Sequence, residues 1–210
     1  MKYDAVKRLM DVVLAAIFGI IFMPIGVIIA LLIKWESPDG PIFADTPLRV
    51  GKNGKLFYAY KFRSMIPNAI KYLHEHPQLL EQYKKNSFKL QDDPRVLKVG
   101  KFIRKFSLDE APQFINVITG EMSLIGPRPY YKDELEEQQR KYPETRSLVK
   151  EALSVRPGIS GLWQVSGRSE VNFDKRIVMD AGYAQDHNLW YDLKILFKTP
   201  LVMLSGKGAI

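Results

Sequence analysis

From Val12 to Ile33 the chain carries no charged residue. A run of about 22 apolar residues is long enough to cross a bilayer as a helix, and too long and too greasy for a secretory signal. Three details argue against a plain crossing. Gly19 and Gly26 flank its middle, and Pro24 sits near it; an interior proline removes a backbone hydrogen bond and kinks a helix. Positive charge stands at both ends, Lys7 and Arg8 before the run and Lys34 after it, so the positive-inside rule names no outside end. The residues leave two readings open. One is a re-entrant hairpin that enters, bends at Met23-Pro24 and returns to the same side. The other is a kinked single-pass helix, which would place the two basic residues of a short N-terminal segment outside.

Composition narrows the function classes. The 210 residues include no cysteine, which excludes a disulfide framework and any cysteine-liganded metal site. There are three histidines; His74 and His76 are two apart, share no helical face and have no third ligand nearby, which argues against a histidine metal site. The formal net charge of +8 suits an anionic membrane surface, a phosphorylated substrate or a nucleic acid. The basic residues are dispersed, with no aromatic-interleaved stripe, so nucleic acid fits least.

Beyond the apolar run, Pro38-Asp39-Gly40 marks a turn. Gly51-Lys52-Asn53-Gly54 between Ile42–Val50 and Leu56–Met65 predicts a β-hairpin. Strict alternation in its second arm puts Leu56, Tyr58, Tyr60 and Phe62 on one face and Lys61 and Arg63 on the other. Pro67 to Asn86 reads as two short charged helices interrupted at Pro77, with Ile70, Leu73, Leu80 and Tyr83 as contacts and the histidines in solvent. Asp92-Asp93-Pro94 reads as a solvated Asx-type turn. Arg95 to Phe106 has a stripe of Val99, Phe102, Ile103 and Phe106 and a basic face of Lys98, Lys101, Arg104 and Lys105, the pattern of a helix lying on a membrane surface or packed on a core. Charged and mixed helices are expected over Tyr130–Tyr142 and Phe173–Tyr183, and an interfacial helix, broken at Pro200, over Leu189–Leu204. With no repeat and no long linker, the part outside the apolar run reads as one domain.

Ser107-Leu108-Asp109-Glu110 places two adjacent carboxylates before an apolar helix. It matches a capping box, with Ser107 as cap and Glu110 reaching back. Pro112 strains that register, because its ring would meet the Leu108 carbonyl. With Asp109 as the cap, Pro112 falls in the first turn and Asp109 stands at the positive end of the helix. That position suits an ionised carboxylate nucleophile, and equally suits plain capping. Arginines add weight to the first use. Arg104 lies one turn upstream, and Arg128, Arg156 and Arg168 each sit beside glycine or proline, in tight turns that can hold a guanidinium against phosphate.

Taken in order, Lys7-Arg8, Pro24, the Tyr60-Lys61-Phe62-Arg63-Ser64-Met65 strand, the run SLDEAPQFINVITGEMSLIGPRP from Ser107 to Pro129 and VRPGISGLWQVSGR from Val155 to Arg168 resemble the monotopic phosphoglycosyl transferases, the bacterial sugar transferase family. The resemblance covers nearly the whole chain. Ala111 departs from it, standing where the family more often has leucine. Ser205-Gly206-Lys207-Gly208-Ala209 is similar to the hexose-1-phosphate branch. Its members often carry extra N-terminal membrane helices, so this chain would be a minimal catalytic form.

The resemblance implies an α+β fold: a re-entrant membrane hairpin over residues 1–36, bent at Pro24, and a cytoplasmic catalytic domain over 37–210 with a small β-hairpin and surrounding amphipathic helices. It implies that Asp109 attacks the β-phosphate of a UDP-sugar, releases UMP and keeps the phosphosugar, which polyprenyl (undecaprenyl) phosphate then removes. Glu110 would assist, and Mg2+ would be the cofactor with Asp109 as a ligand. Arg104, Pro127, Arg128, Pro129, Arg156, Gln164 and Arg168 would bind substrate. The partners implied are the UDP-sugar, the lipid phosphate and the bilayer at the cytoplasmic face of the bacterial inner membrane. Nucleic acid is not among them, and a homodimer is left open. The sugar is left open among galactose, glucose and an N-acetylated sugar, for a pathway such as exopolysaccharide, capsule or O-antigen assembly. The alternative is an inactive membrane-anchored scaffold of the same fold.

Overall fold

The computed structural model describes residues 2–85, 90, 92–167 and 171–205. The apolar run lies within a single long helix, α1 (Lys2–Glu36), which continues through Pro24. One face of α1 follows the domain along its whole length. Arg8 donates to the carbonyls of Val117 and Ile118 at 2.6 and 3.0 Å. Asp11 accepts from the Ser123 hydroxyl at 2.7 Å and the Leu124 amide at 3.1 Å. Phe18 and Phe22 pack on Phe114, Gly26 lies against Phe62, and Ile29 and Ile33 are buried with Phe62 and Ile103. These positions recur every three or four residues, the spacing of one helical face. The other face leaves Ile20, Ile21, Met23, Val27, Ile28, Leu31 and Trp35 exposed.

The predicted hairpin forms as β1 (Arg49–Val50) and β2 (Leu56–Phe57), paired antiparallel with Arg49 opposite Phe57. Asn53 and Gly54 take positive φ, 55° and 79°, in the turn, the conformation for which Asn-Gly is suited. The second arm keeps Leu56, Tyr58 and Tyr60 on one face, as expected, but Phe62 leaves it. Phe57 and Ala59 face the core, while Leu56, Tyr58 and Tyr60 are exposed and only Phe62 of that set is buried. The regular ladder ends at Phe57, so the pleat does not carry through to Phe62. β1 also pairs with β4 (Tyr130–Tyr131), giving a three-stranded sheet in the order β2-β1-β4. A second, parallel sheet joins β3 (Ser123–Ile125) to β5 (Gly158–Ser160).

Helices surround these small sheets. Pro77 separates α2 (Ala69–Glu75) from α3 (Pro77–Lys85) as the sequence predicts, and His74 and His76 are exposed. Ile70, expected as a contact, faces outward, and Leu73 is the buried residue of α2. Asp93 is not solvated: it forms a forked pair with Arg95, with Oδ1 to Nε at 2.8 Å and Oδ2 to Nη2 at 2.6 Å. The basic helix α4 (Lys98–Lys105) buries Ile103 and exposes Phe102. Its first amides are capped by Glu36, which accepts from Lys98 at 2.7 Å and Val99 at 2.9 Å. The C-terminal end of α1 is therefore bonded to α4, as its N-terminal end is bonded near β3.

The helix after the dyad, α5 (Phe114–Thr119), stops at Gly120 with φ 93°, a left-handed cap that glycine adopts freely. α6 (Lys132–Lys141) and α7 (Arg146–Ala152) follow β4, and α8 (Leu162–Ser166), α9 (Phe173–Asp186) and α10 (Leu189–Ser205) close the fold. α10 runs through Pro200, where the sequence suggested a break. Its Trp190, Phe197, Leu201 and Leu204 are exposed. The fold is thus α+β, mostly helical, with small sheets and one long apolar N-terminal helix.

Candidate active site

The dyad sits on a tight helical turn, Leu108–Gln113, with i to i+3 geometry. Ser107 precedes it in the left-handed conformation, φ 54°. Ser107, not Asp109, therefore holds the cap position, two residues earlier than the Pro112 argument placed it and without a side-chain cap bond, and both carboxylates lie in the first turn. Pro112 explains the tight geometry and its use. In such a turn residue 112 would donate to the Asp109 carbonyl, but proline has no N–H. The Asp109 carbonyl instead accepts from the Phe62 amide at 2.9 Å. That bond fixes the dyad beside the strand residue next to Phe62, which is Lys61.

Lys61 is the central partner. Its ammonium lies 3.2 Å from Asp109 Oδ2 and 2.9 Å from Glu110 Oε1. Burial would lower the Lys61 pKa, but Glu110 and then Asp109 outweigh it and hold the ammonium above its ordinary value. The carboxylates respond differently. Burial pushes Glu110 up, yet Lys61, Arg128 and Arg49 pull harder and hold it down at about 2. Burial also pushes Asp109 up; Lys61 pulls it down, the Glu110 charge pushes it up, and the net direction is upward. The helix-end field anticipated from sequence is outweighed by burial. Glu110 is the firmly ionised member of the pair, and Asp109 is the more basic carboxylate.

Asn116 on α5 locks the extended segment leading to Lys61 from the other side. Its side chain accepts from the Tyr60 amide at 3.0 Å and donates to the Tyr58 carbonyl at 2.7 Å. Arg104, in the last turn of α4, donates through Nε to Ser64 Oγ at 2.9 Å, and its charge reaches Asp109. Arg128 is half-buried between Pro127 and Pro129, both buried. Its guanidinium lies 5.2 Å from the Trp163 ring centroid, and its charge reaches Glu110. Gly126, Gly158 and Gly161 let the Pro127–Pro129 turn dock on β5, because a Cβ on any of them would overlap the facing backbone.

Not every expected residue joins the dyad. Arg156 donates to the Gly120 carbonyl at 2.8 Å, at the far end of α5 from the dyad, near Arg8. Gln164 lies beside Gly161 with a buried Oε1 that has no hydrogen-bond partner. Arg168 and Gly206–Ala209 lie outside the described residues. Two charged residues near the dyad were not singled out for roles from sequence. Lys61 was visible as a lysine inside an apolar–aromatic strand. Arg49 gave no local signal and becomes evident only through the pairing of β1 with β4.

Among the described residues no group of three or more acidic or histidine side chains converges to hold a metal. The Asp109–Glu110 pair nonetheless fits Mg2+ in its usual manner with phosphate substrates, where one or two carboxylates suffice and phosphate oxygens and water complete the shell.

The model of the bacterial sugar transferase family matches residues 2–206, and the chain belongs to that family. It is 44% identical over 207 residues to an undecaprenyl-phosphate galactose phosphotransferase of Salmonella typhimurium, covering 97% of this chain and 41% of that protein. It is 40% identical over 208 residues to a UDP-glucose:undecaprenyl-phosphate glucose-1-phosphate transferase of Escherichia coli, again covering 97% of this chain and 41% of the relative. The exopolysaccharide production protein ExoY of Sinorhizobium fredii is 43% identical over 95% of this chain and 86% of its own length. The chain thus spans about two fifths of the first two relatives and most of the third.

Proposed function

We propose that the protein transfers a sugar-1-phosphate from a UDP-sugar to polyprenyl phosphate, starting glycoconjugate assembly. The observation that carries this reading is the pair of adjacent carboxylates with different basicities, held on one rigid turn against a shared lysine, with Arg128 close by. An Asp109 oxygen attacks the β-phosphorus of the UDP-sugar. The bond from that phosphorus to the oxygen bridging the two phosphates breaks, and UMP leaves with the electron pair. The phosphosugar stays on Asp109 as an acyl phosphate. An oxygen of polyprenyl phosphate then attacks the same phosphorus, the carboxylate leaves, and a polyprenyl diphosphate sugar is formed.

Lys61 and Arg128 offset the repulsion between a carboxylate and a diphosphate. Glu110, held ionised, accepts hydrogen bonds from the groups that orient the phosphates. Mg2+, held by Asp109 and Glu110, would supply further charge neutralisation on the diphosphate. The names of the relatives divide among galactose, glucose and N-acetylgalactosamine, so the sugar is to be read from a panel.

The same reading places α1 in the cytoplasmic leaflet of the inner membrane, entering and leaving on one side. Both its ends are bonded to one domain, through Arg8 and Asp11 and through Glu36, while its outer face is apolar and exposed. A crossing helix would put those two bonded ends on opposite sides of the bilayer. Cysteines placed at Lys2 and Lys34 should both resist an impermeant reagent applied outside intact cells; labelling of the Lys2 site would mean a full crossing.

The activity is tested by incubating the purified chain with UDP-hexoses, Mg2+ and polyprenyl phosphate and reading UMP. Turnover is expected for the parent and not for Asp109→Asn. An Asn variant as fast as the parent refutes the nucleophile, and no turnover with any UDP-sugar leaves the scaffold reading.

A further inference from the structure

The Gly126–Tyr130 segment is bonded on both sides of Arg128. The Gly126 amide donates to the Ser160 carbonyl at 2.9 Å, and the Pro127 carbonyl accepts from the Gly158 amide at 2.8 Å. The Pro129 carbonyl accepts from Arg49 Nη1 at 3.0 Å, and the hydroxyl of the next residue, Tyr130, donates to Asp180. Two of these ties come from buried charged side chains. Arg49 on β1 is 5% exposed, stacks 3.3 Å from the Tyr131 ring centroid and leaves its ε-nitrogen without a partner. Asp180 on α9 is 0% exposed; it accepts from the Tyr130 hydroxyl at 2.5 Å and leaves Oδ1 without a partner. Among the described residues neither forms an ion pair. Burying such groups is unfavourable, and the hydrogen bonds they do make fall on Pro129 and Tyr130, the two residues directly after Arg128.

We propose that Arg49 and Asp180 are positioning residues that clamp the Pro127–Pro129 turn at its far end, at Pro129 and Tyr130, and so aim the Arg128 guanidinium at the substrate's diphosphate. This rests on the reading of Arg128 as a phosphate-binding group. The fold supplies two long-range anchors, from β1 and α9, for one short turn. Flanking prolines restrict the φ angles of that turn, and the clamp fixes what they leave free. Arg128 then arrives with little ordering left to do when it meets a phosphate.

The experiment is a double-mutant cycle on the full chain in detergent, reading UDP binding and, separately, KM and kcat for UMP release, with thermal unfolding of each variant as control. Arg49→Met and Arg128→Met are each expected to weaken UDP binding, by about tenfold or more, and to raise KM more than they lower kcat. The double variant should bind UDP no worse than Arg128→Met alone, because Arg49 acts through Arg128. Arg49→Lys keeps the charge without the planar fork, and is read in the same cycle if Arg49→Met does not fold. Additive losses overturn the proposal, as does an Arg49 variant that binds UDP like the parent. UDP binding without turnover of any UDP-sugar overturns the proposed function and leaves the clamp standing or falling by the cycle. No UDP binding by the parent overturns both.

Discussion

The dyad turn and the outer face of α1 depart from ordinary soluble packing in opposite directions. Around the dyad, charges are drawn inside: Asp109 is 6% exposed, Arg49 5%, Asp180 0%. On α1, apolar side chains are left outside, Ile20 and Leu31 among them. A soluble chain would bury the second set and solvate the first. The contrast teaches that the two regions await different surroundings. On the proposed function, the dyad would meet a polyanion that brings its own charge, and α1 a lipid phase that brings none. They are joined by α5, whose first turn follows the dyad and whose last carbonyls are held by Arg8 of α1.

The comparison can be broken at several points. The largest effect is expected on the dyad: Asp109→Asn should lower UMP release by roughly a thousandfold or more, about 4 kcal/mol of transition-state stabilisation. Lys61→Met should cost about a hundredfold, because two adjacent carboxylates then face the diphosphate with their shared cation removed; a loss under about threefold in the same assay contradicts the role given to Lys61. On the other region, Ile20→Asp together with Ile28→Asp should move the chain from the membrane pellet towards the supernatant, while thermal unfolding in detergent changes little, since both side chains are exposed. A drop in unfolding temperature without release from membranes would mean that this face is packed on protein.

A smaller effect concerns pH. Burial pushes the Asp180 carboxyl up to about 7, against the pull of the Tyr130 hydroxyl and Arg176, from an ordinary value of 3.8. A carboxyl raised on folding contributes stability that is present below 3.8 and is lost as pH rises through about 7. The parent should therefore lose unfolding temperature between pH 5.5 and pH 8.5, and Asp180→Asn should lose less. Equal slopes for the two proteins contradict the raised value.

Much of this was legible in the sequence, because the features are local. The apolar run, the Asn-Gly hairpin and the interruption at Pro77 each follow from a few neighbouring residues. The dyad was legible too, and Pro112 pointed to an unusual helix start. Its consequence was not legible: the carbonyl left without a donor binds Phe62, which is close in space and distant in sequence. Long-range pairing also decides which way Phe57 and Ala59 face and brings Arg49 beside Tyr131. Pro200 misled, because α10 continues through a residue where a break was expected, and α1 likewise runs as one helix through Pro24. Arg156 is not brought beside the dyad. A guanidinium in a glycine–proline turn can serve a helix C-terminus as well as a phosphate, and here it bonds Gly120.

The covalent phosphosugar proposed on Asp109 would show directly in the mass of the intact chain. Incubated with the accepted UDP-hexose and Mg2+ but no lipid acceptor, the parent should gain the mass of one hexose phosphate and release a matching amount of UMP. Added polyprenyl phosphate should then remove the adduct, and Asp109→Asn should never form it. Steady turnover with no adduct under rapid quench, or the same adduct on the Asn variant, would contradict the claim.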